Sequence, residues 1–524
     1  MKNSLMLRFL DGVERIGNKL PDPITLFALL ALTVVVASWI IAMLDVTAVH
    51  PATGEAIRAV NLLSGDGIRR MLTGAVANFT AFPPLGLVIV VIIGIAVAEN
   101  SGLVAVALRR FVAAVPPSML TAALVFGGVM SSMAVDAGYV VLTPLGAMLF
   151  ASIGRHPLAG LAAAFAGVSG GFSANLLLTS LDPLLSGLSQ EAAQLVDPAY
   201  VVDPTANYYF MIVSVFLLTA LGTWVTHRFV EPRLGEWDRS MAMDAEVAHQ
   251  AIEEVTPAER RGLRAAMVAL VASLVVMALL VVPQGAPLRD PAAAAAGEGL
   301  LLQIRPFFDA IVTLLMLMFL VMGLAYGIAA GTIRSDKDVA KMSSDGVAVL
   351  GSYIVLAFAA AQFVAYFNWS NLGLIVAIQG ALGLQTVGFT GMPLMLSFIF
   401  VAAFINLFIG SASAKWAVMA PVFVPMMMLM GYSPEAVQVA YRVGDSSTNI
   451  ITPLMQYFPV IIAFAQRYDR NTGIGTLISA MLPYSIVFLI GWTIVFAVWI
   501  GLDIPLGPGA PLHYDPSQLA PAAP

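Results

Sequence analysis

Residues 24–44 read ITLFALLALTVVVASWIIAML and contain no charged side chain. A helix of roughly 20 apolar residues is long enough to cross the hydrocarbon core of a bilayer. Four basic residues precede this run, at Lys2, Arg8, Arg15 and Lys19. No clear small-residue cleavage site follows it, and the run is longer than the core of a signal peptide. We therefore predict an uncleaved first span with its N-terminus in the cytoplasm.

The composition of the whole chain is that of a membrane protein. Apolar residues make up 59% of the 524 residues and charged residues only 11%, whereas soluble domains carry about 25% charged residues. Because apolar runs recur from residue 24 to residue 500, we predict one polytopic membrane domain over residues 1–524. The mild net charge of −6 gives no reason to expect a nucleic-acid partner, and the absence of cysteine excludes disulfides and thiol chemistry.

The distribution of basic residues predicts the topology. Three connecting segments are rich in basic residues and are expected in the cytoplasm: 109–110, 228–264 and 334–341. The C-terminal tail has no Lys or Arg and is expected outside. With the N-terminus inside, the number of crossings is therefore expected to be odd. Further long apolar runs lie near 85–98, 119–135, 208–226, 265–283, 308–331, 346–366, 393–410 and 477–500. We divide the chain into a first half (24–230), a cytoplasmic loop (231–263), a second half (264–500) and a flexible, Pro-rich tail (501–524).

Two apolar stretches, 139–185 and 413–466, are interrupted by Gly, Pro, Ser, Asn and Asp too often to form plain spans. Non-helical backbone cannot face lipid, because each unsatisfied polar group costs several kcal/mol. Such stretches must be buried in protein or line a watery cavity. They predict two re-entrant helical hairpins, the first near 158–187 and the second near 434–466.

The two interrupted stretches resemble each other at an offset of 277 residues. Over residues 137–171 there are nine identities, where composition alone would give about two. The matches include Pro144 with Pro421, Gly154 with Gly431, Pro157 with Pro434 and Gly167 with Gly444. Paired Gly/Pro-interrupted segments in two halves point to a transporter binding site near the bilayer midplane, and we predict an inverted repeat.

Each half carries a Ser-x-Asn triplet after its interruption. Ser173 and Asn175 follow Gly170–Gly171, and Ser447 and Asn449 follow Gly444. Hydroxyl, amide and freed carbonyl oxygens suit Na⁺, so these four residues are candidate Na⁺ ligands. Helix N-termini that begin after such breaks suit an anion. The alternative is that Ser and Asn only cap the broken helices.

Four charged residues fall in apolar surroundings: Asp136, Asp182, Arg442 and Asp445. A charge at bilayer depth is costly and indicates function by default. Arg442 and Asp445 are three residues apart, so they share a helix face and can pair. Either they form a structural ion pair, or Arg442 meets a substrate carboxylate while Asp445 poises it or carries a proton. Asp182 is a cation ligand, a proton carrier or a capping residue, and Asp136 is expected to be structural.

Several polar residues surround the second interruption. Trp416 either stacks on an aromatic substrate or belongs to an interfacial belt. Asn406 either lines the site or bonds a neighbouring helix. Lys415 either contacts the substrate or extends its amine to the membrane surface. Ser413 precedes Trp416 by three residues.

One motif raises the possibility of an enzyme. Residues 167–171 read GVSGG and fit the G-x-S-x-G pattern of serine hydrolases around Ser169. A hydrolase needs a base beside the serine, but none of the five histidines lies in the core of a predicted membrane span after Ser169. The sequence also has no HExxH motif or P-loop. We predict a protein that is not an enzyme.

The second interruption also carries a specific resemblance. The runs SASAKWAVMAPVFVP (411–425) and YSPEAVQVAYRVGDSSTNIITPLMQYFPV (432–460) resemble the p-aminobenzoyl-glutamate transporter (AbgT) family, as do VSGGFSANLLLTSLDPLLSG (168–187) and FLDGVERIGNKLPDPITLF near the N-terminus. The resemblance implies a homodimer of all-α membrane protomers, each with about nine transmembrane helices and two re-entrant hairpins in an inverted repeat like that of ion transporters. It places functional residues at Asp182, Asn406, Ser413, Trp416, Pro434, Arg442, Asp445 and Pro453.

The expected function is secondary active transport in a bacterial inner membrane. The resemblance implies an anionic aromatic cargo, p-aminobenzoyl-glutamate or a related folate-pathway acid, with export of sulfonamide antimetabolites as a further activity of the family. The expected coupling ion is Na⁺ or H⁺, with no covalent cofactor, and the expected partners are the cargo and membrane lipid. The alternatives are a sodium-coupled dicarboxylate symporter and a passive channel.

Overall fold

The chain folds almost entirely into helices, as a computed structural model that describes residues 23–49, 56–133, 138–242, 255–296, 300–452, 455 and 457–516 shows. The first-half helices are α1 (Pro23–Met43), α2 (Gly65–Thr80), α3 (Pro83–Asn100), α4 (Leu103–Ala113), α5 (Leu120–Met130), α6 (Thr143–Ser152), α7 (Pro157–Phe165), α8 (Leu181–Ala193) and α9 (Tyr208–Val225). Wider π-helical turns precede α6 (Gly138–Leu142) and extend α7 (Ala166–Gly170) and α9 (Thr226–Val230).

The second half contributes ten further main helices. They are α10 (Pro257–Val281), α11 (Ile311–Ala330), α12 (Asp336–Val349), α13 (Gly351–Trp369), α14 (Leu372–Thr386), α15 (Gly391–Asn406), α16 (Ala412–Leu429), α17 (Pro434–Asn449), α18 (Phe458–Gln466) and α19 (Ile474–Gly501). A small antiparallel pair, β1 (Thr47–Val49) and β2 (Ala56–Arg58), follows α1 with Ala48 opposite Ile57. Short helical turns lie at Glu231–Leu234, Pro291–Ala295, Leu300–Gln303 and Arg305–Asp309.

Seven helices of the described part are long and apolar enough to cross a membrane, and a bent pair, α12 with α13, passes the same test as one unit. Five shorter apolar helices lie between them. Many outward side chains of the long helices are apolar, such as Val268 and Ile328, which are 70% and 66% exposed. This apolar exterior is what a lipid-embedded protein presents, and the predicted all-α membrane fold is confirmed; the count of nine crossings remains a prediction.

The predicted cytoplasmic loop 231–263 is longer than the gap between helices. Helix continues through Glu231–Leu234, and α10 already begins at Pro257. Thr256 fixes that start through a capping box, in which its hydroxyl accepts the Glu259 amide while the Glu259 carboxylate accepts the Thr256 amide. Residues 243–254 of the loop lie outside the described part.

The first helical hairpin consists of Gly138–Ser152 and Pro157–Gly170. Its turn contains Gly154 with a φ of 77°, which suits glycine because it lacks a Cβ. His156 caps the second helix by accepting the Leu158 amide at 3.3 Å, and burial lowers the pKa of this imidazole. The two helices touch closely, since a Cβ on Gly160 would meet the Gly146 carbonyl oxygen.

The second helical hairpin consists of α16 and α17 and has the same local design. Gly431 in its turn has a φ of 92°. Ser433 caps α17 by accepting the Ala436 amide at 3.1 Å, and Pro434 occupies the first helical position. The turns thus match at the predicted offset, while the inverted repeat of the whole chain remains a prediction.

The hairpins begin earlier than predicted. The ranges 158–187 and 434–466 place the Ser-x-Asn triplets inside the hairpins, but the tight turns lie earlier, at residues 153–156 and 430–433. Gly170–Gly171 instead ends a π-helical turn, and residues 171–180 then run without regular helix until α8. The physical reason is that a sharp reversal needs positive φ, which Gly154 and Gly431 supply, whereas Gly170 and Gly171 do not adopt it.

The tail is not flexible where it is described. Residues 502–516 form what we call the C-terminal strap, which crosses the turn of the second hairpin. The Ser433 amide donates to the Leu512 carbonyl (3.0 Å) and the Tyr514 amide donates to the Gly431 carbonyl (3.0 Å). Leu506 and Leu512 are buried. The prediction of a flexible tail is therefore wrong for these residues; a Pro-rich segment can order itself when its remaining amides find partners. Residues 517–524 lie outside the described part.

Candidate functional site

Helix α17 forms the centre of the molecule. All its residues from Pro434 to Thr448 are buried, although the helix carries three charged residues and several hydroxyls. It contacts α8, α15, α16 and α19. A polar helix enclosed on all sides has to satisfy its charges within the protein, so its ion pairs define the candidate site.

Arg442 pairs with Asp182 across two helices. The Arg442 Nη2 atom donates to Asp182 Oδ1 at 2.7 Å, and the side chains are only 3% and 0% exposed. The other carboxylate oxygen of Asp182 accepts the Thr179 amide at 2.7 Å and the Thr179 hydroxyl at 3.0 Å. The alternative in which Arg442 and Asp445 form an ion pair with each other is not realised in the described structure, because each pairs with a residue of a neighbouring helix.

Asp445 pairs with Lys415 of α16. The Lys415 Nζ atom donates to Asp445 Oδ1 and to Asn406 Oδ1 of α15. The side chain of Lys415 is fully enclosed, so it does not extend its amine to the membrane surface as one alternative had it. The Asn406 amide group donates in turn to the Asp445 carbonyl at 2.6 Å and to Thr448 at 2.8 Å. Asn406 therefore ties α15 to α17 through the site.

The guanidinium of Arg442 has two nitrogen donors that no oxygen of the described residues accepts. Its Nη1 atom points to the Met211 sulfur at 3.1 Å, and a thioether is a weak acceptor. Its Nε atom is buried without a hydrogen-bond partner among the described residues. An unsatisfied donor in a protein interior costs about 1–3 kcal/mol. Only one of its three nitrogens is thus bound to an oxygen.

An aromatic pair lies beside these charges. Trp416 stacks on Tyr441 with ring centres 4.4 Å apart, and its indole nitrogen donates to the Ser189 hydroxyl at 3.0 Å. Ser189 donates onward to Gln438 at 2.6 Å. Trp416 is fully buried, which excludes the interfacial-belt alternative. Its ring is a wall of the site, covered by Tyr441 in this conformation.

The two Ser-x-Asn segments approach each other. The Ser173 amide donates to the Ser446 hydroxyl at 3.1 Å, and the Ser173 hydroxyl is buried without a partner among the described residues. Asn175 instead donates to Ser132 at 2.7 Å, and its oxygen accepts the amide of Leu177. The oxygen of Ser173 thus suits a cation, whereas that of Asn175 is already engaged.

The second triplet is engaged within its own surroundings. Ser447 donates to the Val443 carbonyl at 2.6 Å, and the Asn449 side-chain oxygen accepts from Asn406 at 2.9 Å. Neither bond caps a helix end, so these contacts do not correspond to the capping alternative, and both side chains are already engaged in this conformation. A Na⁺ site built from Ser173, Asn175, Ser447 and Asn449 remains a prediction.

The remaining predicted residues lie around the same centre or outside the described part. Ser413 lies in the first turn of α16, where its hydroxyl lies 3.2 Å from that of Ser411, and Pro434 begins α17 at the strap end of the helix. Pro453 and Asp136 lie outside the described residues. The sequence prediction missed the pairing of Lys415 with Asp445; its signal was a lone lysine beside Trp416 in an otherwise apolar helix.

Ser169 has the surroundings of a structural residue. It lies in the π-helical turn Ala166–Gly170 and donates to the Met455 sulfur at 3.3 Å. Nearby, Tyr139 stacks on Tyr457 with ring centres 4.3 Å apart. A serine hydrolase presents its nucleophile on a sharp turn between strand and helix beside a base, and neither feature surrounds Ser169 in the described structure.

Comparisons with known proteins identify the family. The sequence model of the "AbgT putative transporter family" matches residues 8–514. The chain is 37% identical over 497 residues to the p-aminobenzoyl-glutamate transport protein of Escherichia coli (strain K12), covering 95% of each chain.

Two solved structures share the fold. The Alcanivorax borkumensis YdaH transporter is 46% identical, with a TM-score of 0.86 over 93% of this chain and 100% of its own. The Neisseria gonorrhoeae MtrF protein, described as illuminating a class of antimetabolite efflux pumps, is 45% identical, with a TM-score of 0.88 over 96% of this chain and 100% of its own. The chain belongs to the AbgT family of multi-pass membrane transporters, and it is not an enzyme.

Proposed function

We propose that the protein is a secondary active transporter of p-aminobenzoyl-glutamate or a closely related anionic aromatic acid of folate metabolism. The family assignment and the name of the E. coli relative support the cargo class. The description of the N. gonorrhoeae structure as one of a class of antimetabolite efflux pumps supports antimetabolite export as a further activity, and sulfonamides are the antimetabolites that we propose. In this proposal the protein lies in a bacterial inner membrane with its N-terminus in the cytoplasm.

The observation that carries the proposal is the guanidinium of Arg442. It is buried at the centre of the protein, yet its Nε atom has no partner among the described residues and its Nη1 atom contacts a sulfur. Carboxylates are the acceptors that a guanidinium binds best, through short charge-assisted bonds. A cargo carboxylate would satisfy the donors that Met211 and the surrounding protein leave weakly bound.

The neighbours of Arg442 suit the rest of such a cargo. Tyr441 stacks on Trp416. Trp416 is linked through Ser189 to Gln438, which lies one helical turn before Arg442, so an aromatic surface lies about one turn from the cationic donor. An aminobenzoyl ring can contact this surface once the two rings part, since aromatic rings favour offset or edge contacts with each other. Arg442 would orient the acid and Trp416 the ring.

The packing suggests which parts move. Residues of α3, α4, α10 and α11 form their own hydrophobic cluster, separate from the main core that contains both hairpins. Separate hydrophobic cores can shift relative to each other as units. We propose that the hairpin-bearing core moves against a scaffold that includes α10 and α11, and that two protomers associate through such scaffolds into a homodimer. This motion would expose the site alternately to the two sides.

The coupling ion is proposed as Na⁺ or H⁺, and the site chemistry accommodates either. The buried hydroxyl of Ser173 could serve Na⁺, and the buried Lys415–Asp445 pair could serve a proton. A sodium-coupled dicarboxylate symporter, the alternative from sequence, is not favoured, because the family and its named relative point to an aromatic amide cargo.

Transport by purified protein in liposomes tests the proposal. Labelled p-aminobenzoyl-glutamate should accumulate, or be extruded, against its gradient when a Na⁺ or pH gradient is imposed, and unlabelled p-aminobenzoate compounds should compete where succinate does not. Arg442→Ala should abolish this flux, whereas Arg261→Ala, which changes an exposed arginine, should leave it intact. Flux that needs no gradient would indicate a channel, and a normal rate for Arg442→Ala would refute the site.

A further inference from the structure

Lys415 is a second buried cation at the site, in addition to Arg442. Its ammonium lies among oxygens: Oδ1 of Asp445, Oδ1 of Asn406 and the Ile409 carbonyl, the last at 3.4 Å. The face of the Tyr441 ring lies 5.9 Å away. We call this group the buried lysine cluster. Placing a second cation in the protein centre is costly, so its presence calls for a reason.

Of the two cations in the site, only Lys415 can release a proton. A guanidinium stays charged at every physiological pH, so Arg442 cannot cycle between charge states. A lysine in a buried setting changes its protonation readily. The five histidines of the sequence are His50, His156, His227, His249 and His513, and none of them belongs to α8, α15, α16 or α17.

The charge that contacts Lys415 lies on α17, whereas α8, which also packs on α16, carries Asp182 and Glu191. Helices α14 and α15 contribute no charged residue, and α16 has no charge other than Lys415 itself. Helix α17 contributes Asp445 and the Tyr441 hydroxyl, which lies 3.3 Å from Asp445 Oδ1. Arg442, one turn earlier, is held by Asp182 of α8. The protonation of Lys415 is therefore balanced mainly against Asp445.

The negative charge of the Asp445 carboxylate is neutralised by the ammonium of Lys415. Its Oδ2 atom is buried and has no hydrogen-bond partner among the described residues. When the N–H bond of Lys415 breaks, the electron pair stays on Nζ and the proton passes to water. The carboxylate of Asp445 then lacks its counter-charge, and the four charges of Lys415, Arg442, Asp182 and Asp445 change in sum from zero to −1.

We propose that Lys415 is the proton-binding group of this transporter and that its proton and the anionic cargo bind together. An anion that arrives at Arg442 meets a neutral site when Lys415 is protonated, but a negative site when it is not. Because linkage is reciprocal, cargo binding raises the proton affinity of Lys415 by the same factor. This inference rests on the proposed function and assigns its coupling to H⁺, carried in the same direction as the cargo, so an inward H⁺ gradient drives uptake of the anionic acid and not its export. Lys415 acts here through charge and does not touch the cargo.

The test is proton uptake during cargo binding by purified protein in a weakly buffered detergent solution with a pH indicator. p-Aminobenzoyl-glutamate is added near pH 8, where its carboxylates are fully ionised. The wild-type protein should take up protons on binding, and its affinity should rise as the pH falls, by at most about tenfold per pH unit for one linked proton. Lys415→Arg keeps the charge but cannot release the proton, so its affinity should not vary with pH and it should take up no protons. Lys337→Arg, at an exposed site, should behave as wild type.

The outcomes separate this inference from the proposed function. Wild-type protein that binds cargo without proton uptake, or a Lys415→Arg protein that still takes up protons, would overturn the inference and leave the function standing. Wild-type protein that binds no p-aminobenzoyl-glutamate would overturn the proposed function and this inference with it. Should Lys415→Arg fail to fold, Lys415→Gln combined with Asp445→Asn removes both charges and is held to the same expectation. If neither variant binds cargo, the wild-type pH profile decides, and an affinity that is independent of pH overturns the inference.

Discussion

The ion pair between Arg442 and Asp182 can be tested through the stability of variants that remove one partner or both. Asp182→Asn keeps the shape of the side chain and can still accept the Thr179 amide, which donates to Asp182 at 2.7 Å. It removes only the negative charge that faces Arg442. The double variant with Arg442→Met removes both charges and fills a similar volume.

The magnitude follows from the geometry of the pair. The bonded atoms are 2.7 Å apart and the side chains are 3% and 0% exposed, so solvent screens the pair little. Two unit charges about 4 Å apart in a medium of effective dielectric constant about 20 attract by about 4 kcal/mol. Removing one partner of a buried pair costs about 3–5 kcal/mol, whereas replacing both with fitting neutral groups is nearly neutral. We therefore expect Asp182→Asn to lose about 3–4 kcal/mol and the double variant about 1 kcal/mol or less.

Thermal unfolding in detergent measures this difference, with the monodisperse fraction recovered after heating as a second readout. Asp182→Asn should melt several degrees below wild type, and the double variant should recover most of the loss without recovering transport. Asp345→Asn, at an exposed position, serves as the control. A double variant destabilised by the sum of the two single effects would refute the pairing, because independent sites add and coupled ones do not.

Two further predictions concern the aromatic wall and the C-terminal strap. Trp416→Phe keeps a ring on Tyr441 but loses the hydrogen bond to Ser189, so its transport rate in liposomes should fall by about three- to tenfold for one lost hydrogen bond. The transport rate of Trp416→Ala should fall further. Equal losses for the two variants would show that the ring itself is unimportant. Deleting residues 504–524 removes most of the C-terminal strap and should lower the melting temperature by several degrees. Deleting only residues 517–524 should leave the melting temperature unchanged. Equal melting temperatures for the two truncations would contradict the anchoring of the second hairpin by the strap.

The sequence was informative about which residues meet at the centre and less so about how they pair. Asp182, Asn406, Trp416, Arg442 and Asp445 could be predicted because polar groups are rare at bilayer depth and have to be enclosed together. Their partners could not, since Arg442 and Asp182 are separated by 260 residues. Spacing along one helix reports which residues share a face, but not what lies opposite that face.

The hairpins show a similar limit. Matching Gly and Pro positions predicted two equivalent units, and both turns indeed contain a glycine with positive φ, at Gly154 and Gly431. Choosing the turn among several glycines needed backbone conformation, which the pattern does not contain. The strap was missed for a related reason: composition predicted disorder after residue 501, but backbone bonds to Gly431 and Ser433 order it, and such pairing leaves no trace in residue types.

A structure of the protein with p-aminobenzoyl-glutamate bound would show whether Arg442 binds the carboxylate of the cargo. We predict a cargo carboxylate oxygen at hydrogen-bond distance from Nε or Nη1 of Arg442, with the aminobenzoyl ring against Trp416 or Tyr441. Cargo bound away from both hairpins, with the guanidinium still turned to Met211 and Asp182 as its only partners, would contradict it.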